Sequence, residues 1–314
     1  MTTIAQDYPE YLEAPPRETM IAVGAPLPTS DVPAAIVYDL PAQDYFAAEG
    51  LSFHGALKLL KTPAHYRFDV EHPKESTPDQ IFGQVVHCGV LEPDRFSADV
   101  IAAPTDAPKR PTSVQINAKK PSPETLAAIA FWRDFNAAAE GKIVLPAAEY
   151  DRAIRCIQAV RAHPGAARLL AGATTEVSLF WRDAEFGIPC KARIDAMSCG
   201  GNIDLKTTND AGPEGFGIMV ARNSWNAQGA HYASGAEHVL NESPRFHALI
   251  AVEDEEPHAV AVYVLDVPSL LAGQHLMRIA AERYREARQS GKWKAYPDLI
   301  QTLHLPKWAL RFDA

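Results

Sequence analysis

The sequence predicts an α/β (α+β) fold, a sheet with helices before, within and after it. Three observations carry this. Residues 190–210 read as two short strands joined by a tight Ser-Cys-Gly-Gly-Asn turn, with β-branched and apolar residues alternating on each side. Residues 175–181, 245–252 and 259–265 alternate in the same way, so the hairpin becomes at least a three-stranded antiparallel meander and then extends. Between and around these lie segments with apolar residues at helical spacing.

Residues 1–48 are rich in Pro, Ala and Asp without sustained period and are expected to form a flexible Pro-rich arm, with a short strand at 34–38. One domain, 49–314, is expected to follow. From Ser52 the pattern is helical, with Phe53, Ala56, Leu57, Leu59 and Leu60 inward and Thr62-Pro63 as a stop. Lys58 and Lys61 lie outward, as a solvated face or as DNA-backbone contacts. Thr77-Pro78 opens a second helix, on which Gly83 and His87 stand one above the other. A single histidine on a half-apolar helix reads either as a satisfied core residue or as a ligand.

Residues 103–123 form a Pro-rich loop carrying Lys109, Arg110, Lys119 and Lys120, the most basic stretch of the chain. It is either a grip on a DNA backbone or a solvated connector. Helices are expected at 124–139 and 147–162, with Trp132 and Phe135 in the core, then at 213–220, 226–240 and 268–289.

The chain has 314 residues, 47% hydrophobic and 22% charged, ordinary values for a globular protein. No apolar run reaches the length of a membrane span, and no basic-then-apolar leader pattern opens the chain. Its four cysteines, Cys88, Cys156, Cys190 and Cys199, contain no C-x-x-C pair, which argues against a zinc knuckle, a disulfide framework and an iron–sulfur cluster and fits a cytoplasmic protein. A net charge of −9 argues against a general nucleic-acid coat but not against an enzyme with a local basic channel. No G-x-x-x-x-G-K-[ST] loop is present, so no ATP motor is expected.

The chemistry concentrates at the hairpin. Asp204 and Lys206 are two apart on one strand and share a face, and Asp195 lies near the end of the preceding strand. Two carboxylates with one ammonium suit Mg²⁺, which takes few protein oxygens and keeps water or phosphate in the remaining positions. A surface salt-bridge face is the alternative. Glu176 points either toward this cluster or to solvent. Gln228 and Tyr232, an i, i+4 pair, read as substrate-positioning groups or as ordinary helix residues.

Taken in order, the segments L-S-F-H-G-A-L-K-L-L-K-T-P-A-H-Y, F-G-Q-V-V-H-C-G-V-L-E-P, H-P-G-A-A-R-L-L, T-E-V-S-L-F-W, K-A-R-I-D, D-L-K-T-T-N-D-A and Q-G-A-H-Y resemble the exonuclease VIII (RecE) type of the PD-(D/E)xK, RecB-like nuclease superfamily. The resemblance implies a restriction-endonuclease-like core, a mixed central sheet flanked by helices. It implies that His87, Asp195, Asp204 and the Leu205 carbonyl bind metal, that Lys206 activates water, and that Gln228 and Tyr232 position the strand. It implies Mg²⁺, with Mn²⁺ as a substitute, and degradation of one strand of linear double-stranded DNA, 5′ to 3′, leaving 3′ tails. Its implied partners are a RecT-type single-strand annealing protein and further copies of the chain in a ring, in a bacterial cell and a phage or prophage setting. An endonuclease of the same fold and a catalytically silent DNA-binding or assembly protein are the alternatives. The chain departs from its relatives at N-S-W-N-A before Gln228, where they often show Gly-Tyr.

Overall fold

The structure is a computed structural model that describes residues 34–305 and the short strand at 20–21. Most of the expected arm, 1–19 and 22–33, lies outside the described residues, and so do residues 306–314 of the expected domain. In chain order the elements are β1 (Met20–Ile21), β2 (Ala34–Val37), α1 (Ala42–Ala47), α2 (Phe53–Lys61), α3 (Pro63–Glu71), α4 (Pro78–Leu91), α5 (Pro93–Asp99), β3 (Val100–Ala102), α6 (Ser113–Ile116), α7 (Pro123–Ala138), β4 (Ile143–Leu145), α8 (Ala147–Ala162), α9 (Pro164–Leu170), β5 (Thr174–Arg182), β6 (Pro189–Ser198), β7 (Gly201–Thr208), α10 (Pro213–Arg222), α11 (Trp225–Leu240), β8 (His247–Glu253), β9 (Val260–Val264) and α12 (Val267–Ser290).

Seven strands form one mixed sheet in the order β1-β2-β5-β6-β7-β8-β9. β2, β5, β6 and β7 are successively antiparallel, β7 and β8 are parallel, and β9 returns antiparallel to β8. The parallel pair needs a crossover, and α10 and α11 supply it. The strand expected at 34–38 is present as β2, paired to β5, and the helix after it is held by the buried Lys191, whose ammonium donates to the carbonyls of Tyr45 (2.8 Å), Phe46 (3.1 Å) and Ala48 (2.7 Å). Residues 34–48 are thus built onto the sheet.

Helices cover both faces. One core joins Val85, Val86, Ile157 and Val160 of α4 and α8 to Ile203, Leu205, Ile250 and Val252 of β7 and β8. A second joins Leu59, Tyr232, Val239 and Tyr284 of α2, α11 and α12 to Leu179, Trp181, Ala192 and Ile194 of β5 and β6. Side chains alternate along β7, so Ile203 and Leu205 enter the first core while Asn202, Asp204 and Lys206 face the α11 side.

Two local expectations change. Thr62-Pro63 stops α2 and at once opens α3, because the Thr62 hydroxyl accepts the His65 N–H and Pro63 suits a first helical position. Trp132 and Phe135 are half-buried on α7 rather than core residues, as α7 buries only Ala128. Trp132 instead donates to Pro108 O and lies under the Arg110 guanidinium at 3.8 Å.

Candidate active site

The hairpin turn is a two-residue loop, Cys199-Gly200, with both residues at positive φ (54° and 70°), a geometry that matches the twist of the flanking strands. Pairing of β6 with β7 runs only from Ser198–Gly201 to Ala196–Ile203 and then opens. At the opening the Asp195 carboxylate replaces the backbone: its Oδ2 accepts the Leu205 N–H at 2.8 Å. Asp195 is therefore held where the strands separate.

α4 brings His87 to the same point. A capping box between Thr77 and Gln80 starts this helix, and at Gly83 a Cβ would come within 3.3 Å of Thr207 Oγ1, so the helix lies close along β7. The His87 ring, 118 residues from its partner in sequence, places Nε2 2.8 Å from Leu205 O and 3.0 Å from Asp195 Oδ2. On the other face of β7, Asp204 is fully buried, with Lys206 Nζ 2.5 Å from its Oδ2, a contact short enough for an ion pair but without hydrogen-bond geometry. Asp204 Oδ1 has no hydrogen-bond partner among the described residues.

The charges follow from this packing. Burial works against a charged His87, but the Asp195 carboxylate beside it, with Asp204 and the Leu205 carbonyl, raises its pKa to about 9. Burial would raise Asp195, yet the His87 and Lys206 charges and the Leu205 N–H hold it below the usual carboxylate value. Asp204 rises to about 6, through burial first and the neighbouring Asp195 second, with Lys206 opposing. One carboxylate is kept ionised and the other is costly to ionise.

Gln228 and Tyr232 are both buried, and the amide Nε2 donates to the phenol oxygen at 2.8 Å. Glu176 is also near: burial first and Asp195 second push its pKa up, while Arg193 Nε donates to it at 2.5 Å. The register skips from Thr175–Ala196 to Val177–Ile194, and Glu176 adopts φ 53°, a strained value for a residue with a Cβ. Lys58 is paired with Asp69 at 2.8 Å on the adjacent helix, and Lys61 is exposed. Lys109, Arg110, Lys119 and Lys120 are exposed on the excursion between β3 and β4, which includes the short helix α6 within the expected loop.

Two neighbours of Lys206 escaped the sequence reading. Trp225, in the N-S-W-N-A departure, presents its ring 5.1 Å from the Lys206 ammonium. His54 stands near enough to Lys206 and Lys58 that, after burial, their charges lower its pKa. A cavity of about 330 Å³ lies elsewhere, lined among others by Trp181, Asp183, His231 and Arg278, and it includes none of the hairpin acids.

Among the described residues no three His, Cys, Asp or Glu side chains form a ready-made metal cage. The donors face one another instead: His87 rests on Asp195 and Leu205 O, while Asp204 has only its ion pair with Lys206. Their chemistry nonetheless fits a hard divalent cation, since the set is oxygens plus one imidazole, with no thiol. The buried, singly contacted Asp204 carboxylate is the observation that favours a cation, because an anionic carboxylate in the interior is costly without more positive charge.

Comparison with curated proteins found no match. Among solved structures, the crystal structure of a Eubacterium rectale protein provisionally described as an exonuclease is similar to this chain at TM-score 0.53 and 13% identity, covering 85% of this chain and 95% of that one. At that identity the likeness concerns the fold, and it supports the mixed sheet flanked by helices. The family described as a PDDEXK-like domain of unknown function (DUF3799) matches residues 52–305, most of the chain. The chain therefore belongs to this PDDEXK-like family, within the PD-(D/E)xK nuclease superfamily.

Proposed function

We propose that the protein is a divalent-metal-dependent deoxyribonuclease, an exonuclease that degrades one strand of linear duplex DNA in the 5′ to 3′ direction. The observation that carries the reading is the convergence of His87 Nε2, Asp195 Oδ2 and Leu205 O within 3.0 Å, beside the buried Asp204 and its Lys206. His87, Asp195, Asp204 and Leu205 O would hold Mg²⁺ or Mn²⁺. A cation there supplies charge to polarise the scissile phosphate and to acidify a water. Lys206, 2.5 Å from Asp204 Oδ2, would hold that water by its ammonium and offset charge on the phosphate. Trp225, its ring 5.1 Å from the Lys206 ammonium, would keep that group over the site, and Gln228 and Tyr232 would help position the DNA strand.

The exonuclease reading, the 3′ tails it leaves, a RecT-type annealing partner, a ring of subunits and a bacterial, phage-linked setting all rest on the resemblance to the RecE type. The exonuclease reading is tested with linear duplex DNA labelled separately at each end, with Mg²⁺, Mn²⁺ or EDTA, alongside Asp204→Ala and covalently closed circular DNA. Metal-dependent loss of the 5′ label, with the circle intact and the variant inactive, supports the reading. Cutting of the circle reassigns the protein as an endonuclease. DNA binding without cleavage under either metal reassigns it as a silent binding protein.

A further inference from the structure

Behind Asp204, on the α11 side of the sheet, lies a group of buried polar side chains that the proposed chemistry does not use. Asn202 is fully buried, and neither its Oδ1 nor its Nδ2 has a hydrogen-bond partner among the described residues. His247 is 1% exposed, and both its ring nitrogens are equally unpartnered. The two are opposite one another in the parallel β7–β8 register, so both side chains point toward α11, as Asp204 does. From α11, Gln228 contributes an unpartnered Oε1 and Tyr232 a ring 6.0 Å from that of His247. Gly229 between them lies against His247, where a Cβ would come within 2.7 Å of the ring. A glycine at this point gives His247 its room.

Unsatisfied buried polar atoms cost roughly 1–3 kcal/mol each, so this many would consume much of a stability of about 5–15 kcal/mol. They need partners from inside the fold. Lone pairs exceed hydrogens: Asp204 Oδ1, Gln228 Oε1 and Asn202 Oδ1 offer two each and one His247 nitrogen a single one, against the two hydrogens of Asn202 Nδ2, one on the other His247 nitrogen, the Tyr232 hydroxyl hydrogen and the second hydrogen of Gln228 Nε2. An anion would add acceptors and worsen the imbalance. A cation behind Asp204 would find no second carboxylate among the described residues, only the amides of Asn202 and Gln228, the His247 ring and the Tyr232 phenol. Water donates twice and carries no charge. Asn202 and Asp204, two residues apart on one face of a strand, have Cα atoms separated by about 6–7 Å, a gap that one water bridges.

We propose that Asn202 and His247 are positioning residues of the site: with Gln228 and Tyr232 they enclose a small buried water cluster that hydrogen-bonds Asp204 Oδ1 and fixes the direction of its carboxylate. This rests on the reading of Asp204 as a cation ligand. A ligand carboxylate locked from behind binds a cation without first losing its own rotational freedom, as supporting groups around metal ligands do generally.

The test has two arms. A crystal structure of the wild-type protein should show ordered water within hydrogen-bond distance of Asp204 Oδ1 and of Asn202 or His247; a dry contact, or direct bonds among these side chains, overturns the proposal. Mn²⁺ binding, followed by electron paramagnetic resonance without DNA, should weaken at least tenfold in Asn202→Leu and in His247→Leu. Asn202→Ser and His247→Gln, which keep a hydrogen-bonding group, should stay within about threefold of wild type. Equal Mn²⁺ binding by all variants overturns the positioning role alone. A wild-type protein that binds no Mn²⁺ overturns the metal reading beneath it as well, so the two failures are told apart.

Discussion

Asp195 Oδ2 accepts the Leu205 N–H at 2.8 Å, ten residues on, at the point where the β6–β7 ladder ends. The side chain that replaces a ladder bond is also the one that faces His87, so one carboxylate both opens the hairpin and contributes to the site. Asp195→Ala should leave the Leu205 amide and the His87 ring without their acceptor. It is expected to lower stability by about 1–3 kcal/mol in urea unfolding and to abolish cleavage. Asp195→Asn retains an acceptor oxygen for the Leu205 N–H, so in unfolding at about pH 10, where the His87 charge is lost, it should stay within about 1 kcal/mol of wild type while remaining inactive. Equal destabilisation by the two variants would remove the ladder role.

Asp204 makes the opposite prediction for stability. Its folded pKa, about 6, lies above its ordinary value of 3.8, so the folded state favours the protonated acid. That contribution is fully present below the ordinary value and is lost as pH rises through about 6. In EDTA at pH 7.5, Asp204→Asn is therefore expected to stabilise the protein by on the order of 1–3 kcal/mol, with the gain vanishing toward pH 4. Cleavage should be lost. Chemical unfolding across that pH range checks the slope.

His87 titrates in another window. With a folded pKa of about 9 against an ordinary 6.5, its imidazolium pairing with Asp195 stabilises fully below pH 6.5 and fades as pH rises through about 9. Metal-free wild type should lose stability across this interval, and His87→Gln should show a flatter profile there. Cation binding needs the neutral ring, so Mn²⁺ affinity should rise with pH toward about 9, with a proton released on binding. Calorimetry in buffers of different ionisation enthalpy measures that proton.

The Trp225 ring, 5.1 Å from Lys206 Nζ, is expected to hold the ammonium over Asp204. Trp225→Ala should reduce cleavage by about tenfold, in line with a cation–π contribution of roughly 1 kcal/mol and added freedom of the lysine. Trp225→Phe should recover most of it. A stable but unchanged alanine variant would leave Trp225 as packing against Phe216.

The sequence by itself determined the elements and the local pairings within them. The helix at 147–162 and the helix ending at Leu240 are written in 3.6-residue spacing, and the hairpin in alternation and glycine. That Asp204 and Lys206 share a face, and that Gln228 meets Tyr232, follows from the strand and helix periods alone. Only the tertiary structure decided what each of these faces. It set β8 parallel to β7, which puts Asn202 beside His247; it carried His87 across 118 residues to Leu205; it bound Lys58 to Asp69 and Glu176 to Arg193; and it slid Trp225 beneath Lys206. The physical reason is range. Periodicity acts through a residue's own backbone over a turn or two, whereas register and helix docking are settled by burying apolar surface and pairing polar groups between segments that the sequence holds far apart.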